Sequence, residues 1–165
     1  MAGFDNEDVF GTRLRVGAGT VSLPSMTFTA DPNTGFYNVS ADVLGATAGG
    51  TLSLRIDNTS TQFLNGSVTN PSISLINDPD TGLYSVSANV LGVAAGGSLA
   101  LRIANTNTRF PDGVVGTPSI AFINESGLGI YRQGSGNFSA ASGGNEIWRT
   151  TAATFTVQQI LGLRS

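Results

Sequence analysis

Apolar and polar positions alternate along several short stretches of this chain. Met26 and Phe28, then Ile73 and Leu75, then Ile120 and Phe122 alternate with Thr, Ser or Ala, as half-buried strands require. Further on, Leu52, Leu54 and Ile56 alternate with Ser53 and Arg55, and Leu99, Leu101 and Ile103 alternate with Ala100 and Arg102. A strict period of two predicts that each of these trios faces one way. No apolar stripe of helical period runs beyond a turn or two, so the pattern predicts an all-β protein.

The alternation recurs in a fixed frame. Pro24, Pro71 and Pro118 lie 47 positions apart, as do Gly35, Gly82 and Gly129, Tyr37, Tyr84 and Tyr131, and Arg55, Arg102 and Arg149. The frame predicts three tandem 47-residue β-meander repeats of about four short strands each. Residues 1–23 form a non-repeated anchoring or assembly segment, 24–70 and 71–117 the first two repeats, and 118–165 a divergent third repeat with the C-terminal end. A terminal repeat diverges when one of its faces meets something other than another repeat.

Turn chemistry punctuates each copy. Asp31-Pro32-Asn33-Thr34-Gly35 and Asp78-Pro79-Asp80-Thr81-Gly82 combine an Asp that bonds the backbone ahead, a Pro with preset φ and a permissive Gly. Asp31, Pro32, Gly35, Asp78, Pro79 and Gly82 are therefore assigned to structural repeat turns. The third copy has Glu125-Ser126-Gly127-Leu128-Gly129 instead. A second break falls at Asp42, Asn89 or Asn137, and a third at Gly49-Gly50, Gly96-Gly97 or Gly143-Gly144. Tyr37, Tyr84 and Tyr131 are expected to pack on the turns. Trp148, which replaces Leu54 and Leu101 in the frame, is expected to fill core near the end.

An open meander exposes an apolar face and its edge strands, so it needs a partner. Three chains turning these faces toward a common axis supply one, giving a homotrimeric β-prism-like or intertwined short fibre. Composition agrees, because Gly occupies 22 positions and aromatics only 8% of the 165 residues, which leaves little burial per residue for a lone chain.

Charge and missing residue types narrow the chemistry. The net charge is −3 and all eight basic residues are scattered arginines, which argues against nucleic acid and anionic membranes as partners. No stretch has the length and apolarity of a membrane span, and Met1–Phe10 carries acidic residues where a signal peptide starts basic. Absence of Cys and His removes disulfides, thiolate nucleophiles, the usual zinc ligands and the usual neutral-pH base. Asp31, Asn33, Asp78 and Asp80 offer too few oxygens for calcium, the Gly-Gly pairs lack a Walker context, and no carboxylate pair comes with a sequence cue for a pocket. The expectation is no catalysis, no cofactor and no metal. Arg55, Arg102 and Arg149 are candidates for pairing between repeats or chains, with Asp31, Asp78 or Glu125 as partners; a ladder for an acidic glycan is the alternative.

The string PSISLINDPDTGLY, continued by NVLGVAAGG and LALRI, resembles a repeat of the tail fibres and other exterior fibrous proteins of tailed bacteriophages. The opening MAGF with acidic residues after it is similar to the start of small phage virion proteins. The resemblance implies a homotrimeric structural protein on the virion surface, at the tail or capsid exterior. It would be held to another virion protein through residues 1–23 and directed outward for host attachment, with a host cell-surface glycan as a further partner. A short tail fibre is the expected member; a capsid decoration or head-fibre protein of the same fold and a free lectin-like adhesin module are the alternatives.

Overall fold

A computed structural model describes residues 15–158, so the expectations for residues 1–14 and 159–165 lie outside the described residues. The chain divides into two units, Met1–Asn65 and Gly66–Ser165.

In the first unit, β1 (Met26–Phe28), β2 (Asp31–Ser40), β3 (Val43–Ala48), β4 (Thr51–Ile56) and β5 (Thr61–Phe63) form one antiparallel sheet in chain order. The fifth strand exceeds the expected four because Thr61-Gln62-Phe63 holds a single large apolar residue and so shows no alternation in sequence. In the second unit, β6 (Ile73–Leu75), β7 (Asp78–Ser87), β8 (Val90–Ala95), β9 (Ser98–Ala104) and β10 (Thr108–Arg109) form a second such sheet. A hairpin of β11 (Gly113–Val114) and β12 (Thr117–Pro118) follows. Then β13 (Ile120–Phe122), β14 (Glu125–Gly134), β15 (Asn137–Ser142), β16 (Asn145–Thr150) and β17 (Phe155–Val157) make a third sheet. The described residues are all-β, in antiparallel sheets of which none closes.

The three large sheets share a register. Phe36 pairs with Ala46, Leu83 with Val93 and Ile130 with Ala140, and Tyr37, Tyr84 and Tyr131 pair with Gly45, Gly92 and Ser139. The first reversal of each sheet is a two-residue loop, Thr29-Ala30 in the first, which lets Phe28 pair with Asp31. The Asp-Pro-x-Thr-Gly stretch follows this reversal and does not form it. Thr27 pairs next with Gly35, so Pro32 to Thr34 bulge out of the ladder.

A second bulge corrects the expected facing of the leucines. Ala46 pairs with Leu54 but its neighbour Thr47 pairs with Leu52, which leaves Ser53 unpaired. An extra residue in one strand reverses the alternation beyond it. Leu52 therefore stands on the face opposite Leu54 and Ile56, and Leu99 is likewise separated from Leu101 and Ile103.

Each sheet has one covered face. In the first, the preceding segment crosses it as a strap: Asn38 N–H donates to the Ala18 carbonyl at 2.8 Å and Thr47 Oγ1 to Val21 at 2.9 Å. Gly19 turns the strap with φ +69°, and a Cβ there would stand 2.5 Å from the Ser25 nitrogen. Gly66 and Gly113 repeat that conformation and crowding before Ser72 and Ser119. Gly17–Leu23 thus belongs with the first sheet, and the unrepeated head ends sooner than position 23. Its signal was present in sequence as Gly19/Val21, Gly66/Val68 and Gly113/Val115, ahead of each Pro-Ser.

Candidate functional site

The face opposite the strap is apolar and uncovered. Across the first sheet, Met26, Phe36, Ala46, Leu54 and Phe63 form one row, and Leu44 and Ile56 stand beside it on the same face. Met26, Phe36, Leu44, Ile56 and Phe63 are 39–50% exposed. In the second sheet the row is Ile73, Leu83, Val93 and Leu101, flanked by Leu91 and Ile103. In the third it is Ile120, Ile130, Ala140, Trp148 and Val157, flanked by Phe138 and Phe155. Soluble monomers seldom leave contiguous apolar patches of this kind bare. Trp148 contributes to such a patch, with its ring centroid 5.5 Å from Phe138 and 5.7 Å from Phe155.

The covered face is built differently. Tyr37 and Tyr84 lie across Gly45 and Gly92 of the neighbouring strand, so close that a Cβ at Gly45 would meet the Tyr37 ring at 2.7 Å. Both tyrosines are buried, on the strand pair and not on the predicted turn. In the third sheet Ser139 takes the glycine position and Glu146 that of Leu52 and Leu99. Tyr131 donates to Glu146 at 3.0 Å, and Gln158 donates to its other oxygen at 3.1 Å. Burial, with the Glu146 carboxylate as the next cause, pushes the Tyr131 hydroxyl above the ordinary tyrosine value.

The Asp-Pro-x-Thr-Gly residues hold a bulge to a turn. Gly50 N–H donates to the Asn33 carbonyl at 2.8 Å, and Gly49 N–H to Thr34 Oγ1 at 3.0 Å. Gly97 and Gly96 donate to Asp80 and Thr81 in the same way. In the third sheet Leu128 replaces the threonine, and only the backbone bond from Gly144 to Gly127 persists, at 3.1 Å. Asp31 and Asp78 begin β2 and β7, Pro32 and Pro79 sit in the bulges, and Gly35 and Gly82 rejoin the ladder. The neighbouring Asp78 carboxyl, by favouring the protonated, hydrogen-bonding form of Asp80, raises the Asp80 carboxyl above the usual range.

The three arginines occupy one register on the covered face but have different partners. Arg55 donates to Gln62 at 3.0 Å and lies 3.7 Å from Asp57, whose carboxylate also accepts from Thr59 and Ser60. Those bonds, the Thr59 hydroxyl first, lower Asp57 to about 2. Arg149 donates to Gln133 at 2.6 Å and lies 3.7 Å from Glu146. Arg102 has Arg109 directly opposite. Among the described residues the ion pairs are Arg55 with Asp57, Arg132 with Asp112 and Arg149 with Glu146, and Asp31, Asp78 and Glu125 enter none of them.

The concavities described are open ones, of about 690 Å³ beside Asn38, Leu44 and Ile56, about 600 Å³ beside Ser85, Leu91 and Ile103, and about 170 Å³ among Phe110, Asp112, Ile120, Arg132 and Phe138. Among the described residues no group of three or more acidic side chains is placed to hold a metal ion. The chain matches no family model, no curated protein and no solved structure.

Proposed function

We propose that the protein is a structural virion protein of a tailed bacteriophage: a short, non-catalytic, trimeric tail fibre attached by its N-terminal segment and engaged in host-surface adhesion. The observation that supports this reading most is the uncovered apolar face carried by all three large sheets at one register. Fully burying a large apolar side chain gains roughly 1.5–3 kcal/mol, so covering half-exposed ones gains about 1 kcal/mol each. Five such residues on the first sheet offer about as much as the lower range of the cost of association, roughly 4–15 kcal/mol, and the other two sheets add the surplus. A second and third copy of the same chain present the same surface, and closed cyclic symmetry lets them cover each other without leaving a free apolar face. The resemblance of the repeat string to phage exterior fibres supports the choice of three copies and of the virion surface as their location.

Sedimentation equilibrium tests the assembly: the expected mass is about three times the 16.9 kDa chain. A monomer at micromolar concentration sinks the reading. Gold-labelled antibody on intact particles is expected at the tail, and label spread over the capsid replaces the tail fibre with a decoration protein. Deletion of residues 1–14, which spares the strap, is expected to leave the trimer whole and abolish its incorporation into particles.

A further inference from the structure

The second sheet departs from the first at one corner, and the change alters its charge. Arg102 on β9 stands directly opposite Arg109 on β10, where the first sheet sets Arg55 opposite Gln62. Directly opposed residues of an antiparallel pair share a face, with Cβ atoms about 5 Å apart. In the first sheet this register brings the two side chains into hydrogen-bond contact at 3.0 Å. Two positions along, Ala104 replaces Asp57, the carboxylate beside Arg55. One guanidinium held by one carboxylate thus becomes two guanidiniums with none. Among the described residues neither Arg102 nor Arg109 makes an ion pair. Arg109 donates to Asn107 at 3.0 Å, whereas Arg102 Nε is buried without a hydrogen-bond partner. The third sheet keeps its balance, with Thr156 opposite Arg149 and Glu146 beside it.

Like charges placed directly opposite repel, and a buried charged donor without an acceptor loses its hydration for nothing. One oxyanion lying between the two forks relieves both, since guanidinium N–H pairs match the oxygens of sulfate and carboxylate. We propose that Arg102 and Arg109 form an oxyanion-binding site for the sulfate or carboxylate groups of an acidic surface polysaccharide. The pair lies on the strapped face, opposite the uncovered apolar rows; Arg102 is half-buried there and Arg109 exposed, so association through those rows leaves the Arg109 side open to solvent. That openness rests on the self-association proposed above.

The test titrates sodium sulfate and dextran sulfate into the full chain, read by the arginine Nε resonances and by calorimetry. Saturable binding that shifts the Arg102 and Arg109 signals and weakens with added sodium chloride is expected. The double variant Ala104→Asp/Arg109→Gln rebuilds the first sheet's corner in the second, an arrangement the fold already accommodates, and is expected to weaken both ligands about tenfold or more. The converse pair, Asp57→Ala/Gln62→Arg, is expected to add a second equivalent of sulfate. Absence of saturable binding in the wild type, or binding unchanged in the first double variant, overturns the proposal. So does a first double variant that alters only the sedimenting mass, since the arginines would then hold a carboxylate of another copy. Failure of trimer formation is read by mass alone and does not mimic loss of the sulfate site.

Discussion

The two faces of each sheet carry opposite solutions to one problem. On the strapped face a small residue meets a large one within the chain: Gly45 lies under the Tyr37 ring, and Ala94 and Ala141 are almost fully buried. On the other face large residues meet nothing in the chain, and Phe36, Leu44 and Phe63 stay near half exposed. The first face is completed within the chain, whereas the second is left bare by it. A chain so poor in bulky residues spends its few aromatics on both surfaces, so its stability and the association proposed above are expected to be separable by mutation.

The largest expected effect is on the strapped face. Gly45→Val drives a branched side chain into the Tyr37 ring and is expected to cost about 3 kcal/mol, read as a lowered denaturation midpoint. A variant as stable as the wild type would show that this face is loosely packed and would remove the contrast. Next, Leu44→Glu with Leu91→Glu places charges on the uncovered face. The expected result is a monomer by sedimentation with an unchanged β circular-dichroism signal, and a loss of that signal would mean that the face is needed for the fold.

The third sheet sharpens the contrast, because its strapped face is held by a polar network. Tyr131 is raised above the ordinary tyrosine value, so its neutral form is favoured in the folded protein. Its contribution is whole below about pH 10, where the unfolded tyrosine is also neutral, and is lost as pH rises through the folded value. The wild-type melting temperature is expected to fall from about pH 10 more steeply than that of Tyr131→Phe. Asp57 in the first sheet behaves oppositely. Held at about 2, its carboxylate stabilises above the unfolded value of 3.8 and ceases to as pH falls through 2. The melting difference between wild type and Asp57→Asn is expected to vanish over that acid range. The smallest effect expected is that of Thr34→Val, which removes one exposed hydrogen bond to Gly49 and costs about 1 kcal/mol at most by thermal melt.

Much of the sheet was legible in sequence because its signals are local. The alternation at Met26–Phe28 and the Gly49-Gly50 break both depend on near neighbours. The bulge at Ser53 was not legible, since a reversal of facing arises from pairing with β3 and leaves no mark in the strand's own residues. The role of Thr34 was hidden for a similar reason: its partner Gly49 lies on another turn, fifteen positions away. The odd corner at Arg102 was visible as two substitutions in the frame, Ala104 and Arg109, but only the register placed the arginines opposite each other.

By itself the sequence determined an all-β chain, its period and the places where it turns, because strand alternation and turn chemistry act over a few residues. Only the tertiary structure decided which apolar residues are covered. Facing depends on bulges, and covering depends on where the strap crosses. Both are properties of segments brought together, so the same alternating leucines came to lie on opposite faces, one completed by the chain and one left bare.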